Sequence, residues 1–262
     1  MKFLVLGDIF PSSLVILKKK IPLIIKKSKI DFVIANGENA AYDAKGLTIK
    51  TAKFLFDLGI DVLTSGNHIW DKKEILKYIK NEKRLLRPLN MSDDLPGAGI
   101  NTFSKKNKRI CVINLMTNYF MHKSKNVFAI AQDLINKFHL KRDADYIIVD
   151  VHGEFAGEKM TLGHLFDGKS TLVFGSHTHI PTSDAMILSN GTAYQTDLGM
   201  CGDYNSVIGM NKENSIKRFF KEKDATNHFP SEGEATLSGI IVETNSETGL
   251  AKKVTRLIDG GS

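Results

Sequence analysis

Two histidines separated by one residue follow the apolar part of segment 172–179, LVFGSHTH, in this chain of 262 residues. Imidazole is a common metal ligand in proteins. Residues two apart in a strand point to the same face, so His177 and His179 could converge on one ion. The alternative interpretation is that both are polar surface residues on a loop. Further ligands elsewhere in the chain would favour the metal site.

Four other apolar runs also stop at side chains that could bind a metal. They end at Asp8, at Glu38 and Asn39, at Asn67 and His68, and at His152. Continuous apolar runs of this length predict strands that are buried on both faces. In open α/β sheets, ligands bind beyond the carboxyl ends of such strands. We therefore expect these carboxylate, amide and imidazole groups to meet at one sheet edge and bind metal.

The length and composition are those of a globular protein. Its length fits one large α/β domain over residues 1–262, and the 42% hydrophobic and 25% charged fractions are ordinary. No apolar run approaches the roughly 18 to 20 residues needed to cross a bilayer, so no membrane partner is predicted. One of only two cysteines, Cys111, lies in an apolar run, which favours a buried free thiol and a cytoplasmic protein.

The net charge of +7 leaves two interpretations open. The lysines could form an ordinary solvated surface, or they could attract phosphate-bearing ligands, including RNA. No basic stripe interleaved with aromatic residues is present, so charge alone predicts no partner.

Strand and helix patterns alternate through the first half of the chain, which predicts βαβ units and parallel strands. In this half, Asp71 and Glu74 have the spacing of a capping box before a helix. The second half predicts two strands around the turn at 105–108, a helix over 127–140, a hairpin over 186–194, and a final antiparallel pair over 236–244 and 251–258. We therefore expect two sheets of parallel and antiparallel strands with helices outside. Loops near 116–140 and 209–230 are expected to form a small cap.

The order of the polar motifs resembles that of the calcineurin-like metallophosphoesterases. These motifs are Gly7-Asp8, Gly37-Glu38-Asn39, Gly66-Asn67-His68, His152 and the segment 175–179, GSHTH. The longer forms ANGENA at 35–40, GNHIWD at 66–71 and VDVHGE at 149–154 resemble the YmdB-like branch of that superfamily. The resemblance implies a four-layer α/β/β/α sandwich of two mixed sheets, a two-metal centre, phosphodiesterase activity and assembly into a homo-oligomer.

The resemblance also implies a division of the ligands between two metal ions per subunit. Asp8, Asn39 and His179 would bind the first ion; Asn67, His152 and His177 would bind the second, and Glu38 would bridge both. Two divalent ions carry about four positive charges, of which two carboxylates and a bridging hydroxide offset roughly three. The one remaining positive charge suits a phosphodiester, which carries one negative charge.

One motif departs from the superfamily pattern, which is Asp-x-His at the first strand. Here Phe10 stands at the histidine position and cannot bind a metal, and the Asn39 amide oxygen is the natural substitute. The resulting nitrogen and oxygen ligands favour Fe, Mn, Zn or Mg over copper(I) or an iron–sulfur cluster. The resemblance favours iron or manganese, with zinc and magnesium left open.

His68 follows a predicted ligand and is expected to face the substrate. It would protonate or stabilise the leaving oxygen while the bridging hydroxide attacks phosphorus in line. The alternative is a structural hydrogen bond within the loop.

The leading functional hypothesis is hydrolysis of small cyclic nucleotides, with 2′,3′-cyclic nucleotides as the first candidate. An RNA endonuclease and a phosphomonoesterase are alternatives of the same enzyme class. A regulatory protein that binds nucleotide with little turnover is the alternative from another class.

Overall fold

The structure is a computed structural model, and it describes residues 1–261. The strands are β1 (Lys2–Ile9), β2 (Phe32–Asn36), β3 (Val62–Thr64), β4 (Ile100–Lys105), β5 (Lys108–Met116), β6 (Tyr146–His152), β7 (Leu172–Ser176), β8 (Met186–Ile187), β9 (Ala193–Gln195), β10 (Met200–Cys201), β11 (Thr236–Thr244) and β12 (Ala251–Gly260). The helices are α1 (Leu14–Ser28), α2 (Ile49–Asp57), α3 (Ile75–Tyr78), α4 (Val127–Lys137), α5 (Ala156–Leu165) and α6 (Lys212–Phe219).

The strands form two mixed sheets. The first has the order β12-β11-β1-β2-β3, with the short β10 also paired to β1. Within it, β1, β2 and β3 are parallel, whereas β11 and β12 are antiparallel to their neighbours. The second has the order β4-β5-β6-β7-β9-β8, with β5, β6, β7 and β9 parallel and the outer strands antiparallel. The predicted mixture of parallel and antiparallel strands is confirmed.

Three apolar cores separate four layers. In β1, Leu4 and Leu6 pack beneath α1 and α2, while Phe3 and Val5 face the second sheet. This alternation buries both faces of the strand, which explains its continuous apolar sequence. On the far side of the second sheet, residues of β5 and β6 pack against α4 and α5. The predicted α/β/β/α sandwich is therefore confirmed.

Helix α4 belongs to the outer layer and does not form part of a cap. Its Val127 and Ala131 are buried in the same core as residues of β5 and β6. The expectation of a cap over 116–140 is wrong for this helical part, because an amphipathic helix buries its apolar stripe against the sheet. Only the preceding loop, 117–126, approaches the site described below.

The predicted capping box before α3 is also wrong. Glu74 occupies the cap position but accepts no hydrogen bond from that helix; its Oε1 instead accepts from the Ile49 amide at 2.7 Å. Asp71 pairs with the His68 ring at 2.8 Å. Both acidic side chains are therefore used by neighbouring elements.

Both cysteines are free and buried, as predicted for Cys111. Across residues 1–261, no helix combines the length and the apolar character that a bilayer crossing requires.

Candidate metal centre

The predicted ligands lie at or just beyond the carboxyl ends of five parallel strands. Asp8 is the penultimate residue of β1, and His152 is the final residue of β6. Glu38 and Asn39 follow β2, Asn67 follows β3, and His177 and His179 follow β7. The two sheets present these ends to the same place, since contacts described below join residues of both. The sequence prediction of one shared edge holds for the strand ends.

The reason given for the convergence of His177 and His179 is wrong. Strand β7 ends at Ser176, so alternation along a strand does not orient these side chains. Both residues have a left-handed backbone, with φ of 101° at His177 and 67° at His179. Such values are uncommon for residues other than glycine and often mark functional sites. A strained turn therefore positions the two imidazoles.

Glu38, His152 and His177 form a compact group of potential ligand atoms, all within 4.8 Å of one another. The Glu38 Oε2 atom lies 2.6 Å from His152 Nε2, and His177 Nδ1 lies 3.1 Å from the same nitrogen. A carboxylate oxygen and two imidazole nitrogens at these separations match the donor types of a mixed nitrogen and oxygen metal site.

Three predicted ligands carry buried oxygens that accept no hydrogen bond within residues 1–261. They are Asp8 Oδ1, Asn39 Oδ1 and Asn67 Oδ1. The rest of the Asn39 amide is satisfied, because its Nδ2 donates to the Ala44 carbonyl at 3.0 Å and thereby fixes the orientation of the oxygen. Buried polar atoms are normally paired, so three unpaired oxygens among predicted ligands fit cation binding.

The electrostatics of the group reflect its burial and its mixed charges. Burial raises the pKa of the Asp8 carboxyl well above its usual value. Burial also opposes ionisation of Glu38, but the adjacent His152 outweighs it and lowers the Glu38 pKa to about 2. For His152, burial is outweighed in turn by Glu38, and its pKa is raised to about 8. Burial lowers the pKa of His177 to about 3, so this ring is neutral and has a lone pair with which it could bind a metal ion.

A hydrogen-bond network behind His152 fixes its ring. Ser176 Oγ lies 3.0 Å from His152 Nδ1 and donates to Asp150 Oδ1 at 2.7 Å. Asp150 Oδ2 accepts from Asn36 Nδ2 at 3.1 Å and from Thr64 Oγ1 at 2.5 Å, so the network joins the two sheets. With Nδ1 held by Ser176, the Nε2 atom is directed at the Glu38 group. Such outer partners orient metal-binding histidines.

His179 is held through its Nδ1 atom, which leaves Nε2 for a metal ion. Its Nδ1 lies 2.9 Å from the Ile208 carbonyl, to which it donates, so Nε2 is the nitrogen left with a lone pair. The Phe10 ring packs edge-on against the imidazole, with 4.8 Å between the ring centres. The residue that replaces the superfamily histidine therefore packs against a predicted ligand.

A buried ion pair supports the turn that carries His177 and His179. Lys159 Nζ donates to Asp197 Oδ2 at 2.7 Å and to the Ser176 carbonyl at 2.8 Å. The same Asp197 oxygen accepts from the Thr178 amide at 3.1 Å. Sequence reasoning missed this pair, and also missed Glu154, whose Oε2 lies 3.4 Å from His177 Nε2. The available signal for Glu154 was its place at the end of the motif VDVHGE, two residues after His152.

His68 lies beside the Glu38 group without joining its ligand atoms. Its backbone amide donates to Glu38 Oε1 at 2.5 Å, which ties the loop to the predicted bridging carboxylate. The His68 Nδ1 atom lies 2.8 Å from Asp71 Oδ2, and the ring is about one third exposed. This leaves Nε2 free to face a bound molecule. The centre of the His122 ring lies 6.4 Å from that of the His68 ring.

Gly66 is a close-approach position that gives a direct test of the site. A Cβ atom there would lie 2.1 Å from His152 Nε2 and 2.5 Å from Glu38 Oε2. We expect Gly66→Ala to weaken metal binding by at least about 100-fold, more than loss of an outer hydrogen bond does. Gly37→Ala is the matched control, because its Cβ would make an ordinary 3.4 Å contact with Leu63. Titration of both metal-free variants with Mn²⁺ measures the difference; equal affinities would contradict the assigned ligands.

The combined contribution of His152 and His177 to the stability of the metal-free protein should be largest near pH 6.5. His152 has a raised pKa, so its stabilisation is complete below 6.5 and is lost as the pH rises through about 8. His177 has a lowered pKa, so the unfolded chain binds the extra proton and stability falls as the pH drops below 6.5. Urea unfolding in EDTA should show a loss on the order of 1 kcal/mol between pH 6.5 and 8.

Loading the protein with Mn²⁺ supplies the control for this pH dependence. The ion would replace the proton on His152, so the optimum should move to higher pH. A free energy of unfolding that rises steadily from pH 5 to 8 without metal would contradict the coupling of Glu38 with His152.

Comparison with known proteins places the chain among phosphate ester hydrolases. A family model described as "YmdB-like protein" matches residues 4–257. The 2′,3′-cyclic-nucleotide 2′-phosphodiesterase of Bacillus subtilis is 39% identical over 259 residues, which cover 98% of this chain and 97% of that protein.

Two solved structures share the whole architecture. A protein described as a novel phosphatase, from Mycoplasma pneumoniae, is 35% identical with a TM-score of 0.90, covering 99% of this chain and 94% of that chain. A hypothetical protein from Thermus thermophilus is 33% identical with a TM-score of 0.90, and each chain is fully covered.

Proposed function

Because this chain belongs to the YmdB-like family of calcineurin-like metallophosphoesterases, we propose that it hydrolyses 2′,3′-cyclic nucleotides. Hydrolysis of phosphoric diesters is the activity of the family; the cyclic nucleotide is the finer assignment. The observation that carries the metal-dependent hydrolysis is the convergence of Glu38, His152 and His177, together with three unpaired buried oxygens of predicted ligands. The B. subtilis relative, similar over nearly its full length, supports the substrate class.

The donor set fits two divalent cations. Asp8, Asn39 and His179 would hold one, Asn67, His152 and His177 would hold the other, and Glu38 would bridge both. The residues present are nitrogen and oxygen donors, which suit iron or manganese and also zinc or magnesium. When bound, such ions supply Lewis-acid activation of the phosphate and lower the pKa of water.

His68 would hold the proton that the leaving ribose oxygen needs. Asp71 engages its Nδ1, and this contact would leave Nε2 to face bound substrate. The amide of the same residue donates to Glu38 Oε1, so one loop couples the acid to the predicted bridging carboxylate. Protonation of the leaving oxygen matters most for an alkoxide, because an alkoxide is a poor leaving group.

A phosphomonoesterase is the second candidate, favoured by the similarity to the M. pneumoniae phosphatase. The test is a panel of 2′,3′-cAMP, 3′,5′-cAMP, bis(p-nitrophenyl) phosphate and 3′-AMP with Mn²⁺ or Fe²⁺. The proposal expects the highest kcat/KM on 2′,3′-cAMP and accumulation of a nucleoside monophosphate. Turnover of 3′-AMP alone would transfer the assignment to a phosphatase, and salt-sensitive cleavage of RNA alone would transfer it to a nuclease.

A further inference from the structure

Three exposed aromatic side chains lie on two segments that also contact His177 and His68, through Glu154 and His122 respectively. Tyr119, Phe120 and Phe155 are 63%, 83% and 48% exposed, although large apolar side chains are usually covered. We call these three residues the aromatic ledge. Phe155 directly follows Glu154, whose carboxylate contacts the His177 ring at 3.4 Å. Glu154 therefore links the predicted ligand His177 to the Phe155 end of the ledge.

The ledge is held in place by contacts that leave its rings open to solvent. The rings of Tyr119 and Phe155 meet edge to face, with 5.9 Å between their centres and 64° between their planes. The Phe155 ring lies over Gly157, where a Cβ would come within 3.0 Å of it. The two elements that carry these rings are thus packed together before any ligand arrives.

A buried carboxylate fixes the loop that carries the other half of the ledge. Glu158 in the first turn of α5 accepts from the Asn118 amide with one oxygen and from the Tyr119 amide with the other, both at 3.0 Å. The next residue, Phe120, has φ of 61°, a left-handed value that is strained for a bulky side chain. A strained backbone that presents an aromatic ring to solvent favours a binding role.

The same loop reaches the proposed acid. His122, three residues after Tyr119, has its ring 6.4 Å from that of His68. The loop therefore runs from the ledge to the leaving-group side of the centre. A molecule whose phosphate is at the metal centre would have its remaining part near this loop.

We propose that the aromatic ledge binds the nucleobase of the substrate by stacking. Resting on the function proposed above, this assigns Phe155 and Tyr119 as specificity-determining residues for nucleotides over diesters without a base. Stacking tolerates every base because each has a π face, so the ledge would select nucleotides as a class. The proposal commits to a base, because an aromatic ring with one open face offers stacking and few hydrogen bonds.

The experiment compares two substrates on matched variants. They are 2′,3′-cAMP and the base-free 2′,3′-cyclic phosphate of 1-O-methylribose. Phe155→Leu should lower kcat/KM for 2′,3′-cAMP by about 10-fold, mainly through KM, which is within the contribution of one stacked base. The base-free substrate should change by less than about twofold, since it has no base to stack. Phe155→Tyr keeps a ring and should retain nucleotide kinetics; Leu23→Ala, an exposed apolar truncation on α1, should change neither substrate.

Calorimetric measurement of 3′-AMP binding tests the ledge separately from the proposed catalytic function. If the wild-type protein hydrolyses neither substrate, the proposed function fails, yet weaker 3′-AMP binding in Phe155→Leu would still support the ledge. Equal losses on both substrates, or unchanged nucleotide kinetics and binding, would overturn it. A change of oligomeric mass by light scattering in Phe155→Leu or Phe120→Ala would assign the face to a contact between copies and would also overturn it.

Discussion

Replacing Glu38 with Gln is expected to abolish metal binding and turnover together. The substitution keeps the shape of the side chain but removes the negative charge beside His152 Nε2, 2.6 Å away. Two cations held close together repel each other, and a carboxylate placed between them reduces that repulsion. Metal content should fall from about two ions per chain to below one. Diester turnover should fall by at least on the order of 10³-fold, more than loss of one donor to a transition state.

Elemental analysis after gel filtration, with kcat/KM on 2′,3′-cAMP, measures both effects. Glu74→Gln is the control, since Glu74 only accepts from the Ile49 amide away from the ligands. Circular dichroism confirms that both variants fold. Full metal occupancy in Glu38→Gln would show that this carboxylate does not hold the ions.

Replacing His68 with Ala is expected to lower kcat by about 10²- to 10⁴-fold while both metals remain bound. The side chain donates to no predicted ligand; only its backbone amide contacts Glu38, and an alanine keeps that amide. What is lost is the ring that contacts Asp71 and that we propose to face the leaving oxygen. The loss should be large for a ribose oxygen and much smaller for p-nitrophenolate, which leaves without protonation.

Comparison of 2′,3′-cAMP with bis(p-nitrophenyl) phosphate therefore separates acid catalysis from a structural role. Asp71→Asn should show the same leaving-group pattern in weaker form, since the ring stays but is less well oriented. Loss of metal with His68→Ala, or equal losses on both substrates, would make His68 a structural residue of the loop.

The strand ends could be predicted from the sequence because they depend on local patterns. Apolar runs that stop at Asp8, Glu38 and His152 mark buried parallel strands, and ligands gather at their carboxyl ends. The hairpin of Met186–Ile187 and Ala193–Gln195 was likewise predicted from the sequence. The α/β/β/α order came from the resemblance, and burial on both faces of β1 confirms it.

Contacts between distant segments could not be predicted, because no local pattern encodes them. Asp150 interrupts an apolar strand, which signals a buried polar role, but its partners Asn36 and Ser176 come from two sheets. The left-handed turn at His177 depends on how Lys159 and Asp197 hold the chain after β7. Helix α4 was predicted, but its packing against the second sheet was not.

A crystal structure of Mn²⁺-loaded protein, with anomalous scattering recorded at the manganese edge, tests the two-metal centre most directly. We predict two anomalous peaks roughly 3.5 to 4 Å apart. Glu38 should lie against both, with Asp8, Asn39 and His179 around one, and Asn67, His152 and His177 around the other. One peak, or peaks distant from these side chains, would contradict the account.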